Sequence, residues 1–392
     1  MSARPAPPVT WQVLHATEHL AAGILAFLLL ATRELVQAGV QQTLVYSRRH
    51  DTPVDVGAQF DPQVRLVEVN GGARAGGRWG GHWSFLRALR EALCEELRTH
   101  RYDAVHLHAA RAGLVGRLGL GRQPVATPPL FYSPHGLVTL NRQRPLLGAV
   151  SSLAERVAGL RDCHPVGCGH AEARELERLT RRSAAVLENP VHEAFFDVQR
   201  RPDAIPRVVT VGRACEQKGP TQFAELAARF HYAGEPVQFV WVGAGEPQFE
   251  QMLRAVGVEV TGWVGQDEVR AQLARARVYV QTSHWEGMPL SVLQAMAAGV
   301  PCVVTDVVGN RDAVTHGATG LLARDVSGLA VYVKSLLEQP QRAREIAAAA
   351  QREARQRFHP ERFRHALLSL YRFGAPDPRA PQRLADTSVV HG

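Results

Sequence analysis

Two short stretches hold the residue types that could grip a phosphorylated, hydroxyl-rich ligand. In VGRACEQKGP, residues 211–220, Gly212 follows an apolar run, Arg213 comes next, and Lys218 and Gly219 stand just before Pro220. Proline is favoured in the first turn of a helix. The segment therefore sets two cations beside the free backbone N–H groups of a helix start, which suits a diphosphate. In the second stretch, SHWEGMPLSVLQAMAAG, residues 283–299, Glu286 and Gly287 lie between a β-branched run and a helical pattern that opens at Pro289 and stops at Gly299. Gly287 lets a large group approach the backbone, and Glu286 can accept hydrogen bonds from ligand hydroxyls. Gln294, eight positions after Glu286, falls within that helix and can face the same ligand. A ligand with both hydroxyls and a diphosphate is a nucleotide-sugar.

These stretches need strands and helices to hold them, and the chain alternates the two from its start. WQVLHAT reads as a strand, residues 21–38 as a helix ending at Gly39, and QQTLVYS and VRLVEV as strands. WSFLRALREALCEELRTH is an amphipathic helix, YDAVHLHA a strand, AGLVGRLGL a helix and PLFYSPHG a strand and loop. A helix through LLGAVSSLAERVAGL, a strand near CHPVGC, the helix AEARELERLT and AAVLEN complete this half. The rhythm implies a parallel sheet covered on both faces. It breaks at DVQRRPDAIPR, polar with two prolines, and restarts with RVVTVG. The second half repeats the plan through VQFVWVG, VEVTGW, RVYVQTS and PCVVTD, with a last long helix to about Arg357. The expected organisation is α/β, with two doubly wound domains at 1–196 and 207–357. An amphipathic helix at 358–373 packs back on the first domain, and 374–392 is a disordered tail. Open α/β sheets bind ligands at the carboxyl ends of their strands, so function is expected in the cleft between the two.

Composition sets outer bounds. The 392 residues are 45% hydrophobic, enough for two cores. The net charge of +8 comes almost wholly from arginine, lysine occurring only at 218 and 334. It is a weak pull toward nucleotide or phospholipid, and no nucleic-acid partner is expected. Five scattered cysteines, an odd number, fit reduced thiols in a cytoplasm. The N-terminus has no secretory pattern, and the apolar run at residues 20–31 is too short to span a bilayer, which takes about 20 residues. Any membrane contact would be peripheral, at the inner face of the cell membrane.

Other motifs point elsewhere and are set aside. CHPVGCGH, residues 163–170, has zinc-like residue types without a second ligand pair, and His106 and His108 share one strand face as packed residues, so no metal is expected. VGAGEPQF lacks the last glycine of a dinucleotide fingerprint, so no NAD site is expected and no cofactor is assigned. The glycine-rich loop at 70–83 offers Arg78 and Trp79 as an acceptor surface, by stacking on sugar and meeting phosphates, while a merely flexible connection is the plainer reading.

EGMPLSVLQAMAAGVPCV with GRACEQKG upstream resembles the family 4 retaining glycosyltransferases of GT-B fold, of the group 1 type found in bacterial capsule and exopolysaccharide synthesis. YDAVHLHAARAG, YSPHG, ENPV, VGAGE and HGATGLL fall in that family's order, so the likeness covers nearly the whole chain. It implies that Arg213 and Lys218 hold the donor diphosphate, that Glu286 contacts sugar hydroxyls, and that Gly287, Met288, Pro289 and Leu290 bring backbone to the donor. Gly23 and Gly212 join the donor site, and His135 faces the sugar near the acceptor. The family's second glutamate, which binds the nucleotide ribose, is Gln294 here, a change that removes a charge from that contact. The function so implied is metal-independent, retaining transfer from a nucleoside-diphosphate-sugar co-substrate to a glycan or lipid-linked acceptor. A sugar-nucleotide epimerase of similar architecture and a non-catalytic sugar-nucleotide-binding subunit are the alternatives.

Overall fold

The computed structural model describes residues 11–48, 52–69, 80–120, 128–140 and 145–373. Arg78, Trp79 and the tail 374–392 lie outside them. β1 (Gln12–Thr17), β2 (Gln41–Tyr46), β3 (Val64–Glu68), β4 (Ala104–His108), β5 (Leu130–Ser133), β6 (His164–Gly167) and β7 (Ala185–Val186) form one sheet in the order β3-β2-β1-β4-β5-β6-β7. Each of its pairings is parallel. A second parallel sheet has the order β10-β9-β8-β11-β12-β13. Its strands are β8 (Arg207–Val211), β9 (Gln238–Val242), β10 (Glu259–Val260), β11 (Val278–Gln281), β12 (Cys302–Thr305) and β13 (Leu321–Ala323). In both sheets the order reverses beside the first strand, which opens a crevice at the carboxyl edge.

Successive residues of the central strands enter opposite cores because side chains alternate across a sheet. Val13 belongs to the core on one face of the first sheet, and Leu14 and Ala16 to the core on the other. Val209 and Val208 divide in the same way in the second sheet. The Pro360–Phe373 helix adds Phe363, Leu367, Leu370 and Tyr371 to the first domain's core, where the Ala22–Gln37 helix also packs. The chain therefore returns to its first domain at its end.

Four details differ from the sequence reading. Val191, Phe195 and Phe196 sit in a core of the second domain, so the chain crosses between domains near residue 188, ahead of the boundary at 196. The segment taken for a linker is fastened to the second domain: Arg200 donates to the Leu273 and Ala276 carbonyls at 2.5 and 2.6 Å, capping the Gln266–Arg275 helix. The last long helix is two, Val326–Glu338 and Pro340–Arg357, because Pro340 can begin a helix but not continue one. VEVTGW keeps only Glu259–Val260 as strand, the chain turning at Gly262 with φ of 77°.

Candidate active site

The loop after β8 runs from Gly212 to Gly219 and opens the Pro220–Tyr232 helix. Gly219 is in the left-handed region, with φ of 63°, and a Cβ there would lie 2.1 Å from the Thr282 carbonyl oxygen. Only glycine lets the two loops approach this closely. The loop after β11 reciprocates. The Thr282 hydroxyl donates to the Lys218 and Gly219 carbonyls at 2.9 and 2.8 Å, the His284 N–H donates to the Gln217 carbonyl at 2.9 Å, and Gln217 Nε2 donates to the Trp285 carbonyl at 3.1 Å.

This stitching brings Lys218 Nζ to 2.6 Å from Glu286 Oε1, and the Ser283 hydroxyl donates to the same oxygen at 2.6 Å. The Glu286 side chain is 5% exposed and that of Lys218 is 21% exposed. A carboxylate this secluded is tolerable because its charge is paired and hydrogen-bonded. Arg213 is half-buried in the same β8 loop. Pro289 caps the Leu290–Ala297 helix in an extended conformation, and Gln294, half-buried, donates from Nε2 to Gln266 Oε1 at 3.3 Å.

The first domain meets the Glu286 turn directly. A Cβ on Gly287 would lie 2.9 Å from Cys168 Sγ and 3.1 Å from the Gly136 Cα, and a Cβ on Gly309 would lie 2.4 Å from the Gly287 carbonyl oxygen. Asn189, on the crossover, donates from Nδ2 to the Met288 carbonyl at 2.8 Å. The Glu172 carboxylate holds the opposing loops, accepting from the Gly136 and Leu137 N–H groups at 2.7 and 2.9 Å and from the Cys168 N–H at 2.9 Å.

His135 stands at this junction with φ of 55°, a left-handed geometry that costs a non-glycine residue about 1 kcal/mol or more. Its Nε2 is 2.9 Å from His108 Nδ1, and His108 Nε2 is 3.1 Å from His15 Nδ1. The register of β1 on β4 pairs His15 with His106, so three imidazoles share one sheet face. His106 is satisfied by Tyr371 and Ser133 at 2.8 and 2.9 Å. Burial pushes His15 and His135 down to about 4, and burial with mutual repulsion holds His106 and His108 well below the usual imidazole range. All four are neutral near pH 7, so they work as hydrogen-bonding groups rather than charges. Among the described residues His15, His106 and His108 have the spacing of a metal-ligand group. The nitrogens of His106 and His108 are engaged by neighbouring side chains.

Comparison with known proteins matches residues 22–191 to the family described as glycosyl transferase 4-like domain and residues 205–339 to glycosyl transferases group 1. The chain belongs to the group 1, or family 4, glycosyltransferases of GT-B fold. Among relatives of this glycosyltransferase, it is 27% identical over 256 residues to the UDP-Gal:alpha-D-GlcNAc-diphosphoundecaprenol alpha-1,3-galactosyltransferase of Escherichia coli, covering 59% of this chain and 65% of that one. It is 34% identical over 210 residues to glycogen synthase of Mycobacterium tuberculosis, 50% of each chain. The chain thus spans half to two thirds of the length of these curated relatives. The solved structure of sucrose-phosphate synthase from Thermosynechococcus elongatus superposes with a TM-score of 0.80 at 18% identity, covering 92% of this chain and 98% of that one. That likeness carries the two-domain fold alone.

Of the residues singled out in this glycosyltransferase's sequence, Gly212, Arg213 and Lys218 share the β8 loop, and Glu286, Gly287, Met288, Pro289 and Leu290 share the β11 loop and helix start stitched to it. His135 reaches them from the first domain through the Gly136–Gly287 contact. Gln294 lies farther along the Leu290–Ala297 helix, toward Gln266. Gly23 is in the first turn of the Ala22–Gln37 helix, exposed, with open space about its Cα. Sequence reasoning passed over Thr282, Ser283, Glu172, Asn189, His15 and Gly309. Gly309, one glycine in a VVGNRD turn, and Ser283, three residues from Glu286, carry a weak local signal, while Thr282, Glu172, Asn189 and His15 take partners distant in sequence.

Proposed function

We propose that the chain transfers a sugar from a nucleoside-diphosphate-sugar to a glycan or lipid-linked acceptor with retention of anomeric configuration, in cell-surface polysaccharide or glycolipid synthesis at the cytoplasmic face of the membrane. The observation that carries this reading is the Lys218–Glu286 pair, held where two strand-end loops meet a loop of the other domain. On donor binding, the diphosphate takes over Lys218, and Glu286 turns its carboxylate to sugar hydroxyls. Arg213 supplies the second cation. The Escherichia coli relative, named for a UDP-sugar donor and a diphosphate-linked lipid acceptor, supports the same substrate classes.

Breaking the anomeric C–O bond leaves positive charge on the sugar and negative charge on the diphosphate, so cations fixed at the diphosphate lower the barrier. A double-displacement route to retention needs a carboxylate nucleophile. The nearby acids are committed: Glu172 to three backbone N–H groups and Asp312 to the Ala171 N–H at 2.8 Å. A front-face displacement fits this arrangement. The acceptor oxygen bonds to the anomeric carbon on the face the diphosphate leaves, and the acceptor's proton passes to a departing phosphate oxygen. With two cations at the diphosphate, this route needs no divalent metal. Neutral His135 hydrogen-bonds the sugar beside the acceptor.

The test is incubation with a panel of nucleotide-sugars and glycan or lipid-diphosphate acceptors, with the anomeric configuration of the product read by NMR. Acceptor-dependent nucleotide release with a retained anomer supports the proposal. An inverted product refutes the front-face route, and an isomerised free sugar nucleotide refutes transfer.

A further inference from the structure

The second domain holds a cavity at the end of its sheet remote from the donor loops. Arg277 and Pro301 line it and immediately precede β11 and β12, so it lies at the amino edge of the sheet, whereas the loops that carry Lys218 and Glu286 leave the carboxyl edge. Its volume is about 390 Å³, within the roughly 300–1,000 Å³ of small-molecule sites. No step of the proposed transfer involves it.

Its charge is one-sided. Arg200, Arg277 and Arg344 line the cavity, and no carboxylate does. Arg344 donates to Gln341 Oε1 at 2.9 Å, and Arg200 spends its terminal nitrogens on the Leu273 and Ala276 carbonyls. Among the described residues none of the three guanidiniums makes an ion pair. Asp203 and Glu338, acids close to the lining in sequence, pair instead with Arg207 and Arg275 and with Lys334. Burial, and then the charge of Arg277, push the Arg200 guanidinium down to about 10, as expected of neighbouring cations with no anion between them. The Pro340–Arg357 helix adds its positive end: Pro340 lines the cavity, no side chain caps that end, and the first turn carries no acid.

The rest of the wall is apolar or already engaged. Pro202, Pro301, Leu336, Ala343 and Ala347 give it hydrocarbon surface, and Gln351, the one amide in the lining, donates to the Ala297 carbonyl at 3.0 Å. A hydroxyl-rich sugar would find few partners there, whereas a flat ring would shed water against prolines and alanines. We propose that this cavity is a second ligand site, which takes a small phosphate ester of nucleotide type. Its phosphate lies among Arg277, Arg344 and the helix start, and its ring lies on the prolines. The inference rests neither on sugar transfer nor on the donor site.

Titration calorimetry on the full chain, with adenosine monophosphate, ribose phosphate and inorganic phosphate as probes, tests it. Adenosine monophosphate is expected to bind tightest, since it alone offers both the phosphate and the flat ring. Arg277→Gln combined with Arg344→Gln should weaken it about tenfold or more, while Lys218→Ala, in the donor loop, should leave it unchanged. Arg200 is kept, because it caps a helix. Ala348→Glu, at an exposed residue of the lining, is a second block, since its carboxylate would pair with the arginines. Circular dichroism checks that each variant folds. Failure of all three probes to bind, or binding that survives both the arginine variant and Ala348→Glu, overturns the proposal. So does ribose phosphate or inorganic phosphate binding as tightly as adenosine monophosphate. Binding lost in Lys218→Ala also overturns it, by returning the ligand to the donor loops. An empty cavity leaves the transferase reading standing, and a filled one in a protein that transfers no sugar leaves this one.

Discussion

Removing Lys218 should cost stability and catalysis for separable reasons, and a second substitution should restore only one of them. In Lys218→Ala the Glu286 carboxylate, 5% exposed, keeps the Ser283 hydroxyl but loses its cation. Breaking a buried pair from one side costs about 3–5 kcal/mol; because the Lys218 side chain is one-fifth exposed, solvent lowers this to about 2–3 kcal/mol. Adding Glu286→Gln removes the stranded charge while keeping the acceptor for Ser283, so most of that loss should return. Turnover behaves otherwise. Lys218→Ala should lower kcat by about 10²–10³, the usual effect of deleting one donor to a developing anion, and the double variant should stay as slow. Urea denaturation midpoints report the first effect and nucleotide release from a nucleotide-sugar with acceptor the second. If Lys218→Ala unfolds at the wild-type midpoint, the pair is not secluded from water. If the double variant regains turnover, Lys218 serves Glu286 rather than the diphosphate, and the leaving-group argument fails.

Three further outcomes follow from the same geometry. His15 and His135, lowered by burial to about 4, are neutral in the folded protein, whereas the unfolded chain protonates below about 6.5. Their contribution to stability is therefore full above pH 6.5 and lost as pH falls toward 4, about 2 kcal/mol for each by pH 5; equal urea midpoints at pH 7.5 and pH 5 would contradict this. Gly287→Ala, whose Cβ would meet Cys168 Sγ at 2.9 Å, should wedge the domains apart and lower kcat/KM about tenfold with the fold intact by circular dichroism. Wild-type kinetics would show that this contact is not part of the working conformation. Gln294→Glu should tighten donor binding about fivefold, since a charged acceptor for a ribose hydroxyl gains about 1 kcal/mol over a neutral one; an unchanged or raised KM for the donor would remove Gln294 from the ribose contact.

What could be read from the sequence followed from periodicity and local chemistry. Strand and helix alternation carries the doubly wound class because each element needs only its own neighbours to declare itself, and Pro220 and Pro289 marked helix starts for the same reason. The two cleft loops were legible because their cations, carboxylate and glycines lie within a few residues of one another. The Lys218–Glu286 pair was not, since 68 residues separate its members and only the β8–β11 pairing brings them together. Glu172 looks like any acid in the first turn of a surface helix until the strand-end loops fold over it. The crossover is hard to place because proline and polarity at 197–207 resemble a linker, while Arg200, which fastens that segment down, uses backbone carbonyls as partners, which leave no trace in composition. In the Pro145–Ala158 helix the apolar spacing was visible, but burial and exposure give the same spacing, and only the packed structure shows which residues lack a partner.

The closeness of the domains at Gly136 and Gly287 bears on how a donor could be admitted. Gly136 and Gly287 let backbone meet backbone across the cleft while Gly309 lets its own domain close on the Gly287 carbonyl, so the turn is complete only when the domains are together. The crossover takes part as well: Asn189, buried on that segment, holds the Met288 carbonyl, and the Val191 N–H donates to the Phe358 carbonyl at 2.8 Å where the chain returns. Both passages between domains are thereby tied to the body that carries Lys218 and Glu286. A rotation that opened the cleft would have to pivot on the first-domain side of Asn189. The donor turn would then keep its shape while His135, Gly136 and Cys168 withdrew from it. On the proposed transfer, diphosphate recognition and domain closure are therefore separable steps, the first preformed in the second domain and the second bringing His135 and the acceptor against a sugar already held.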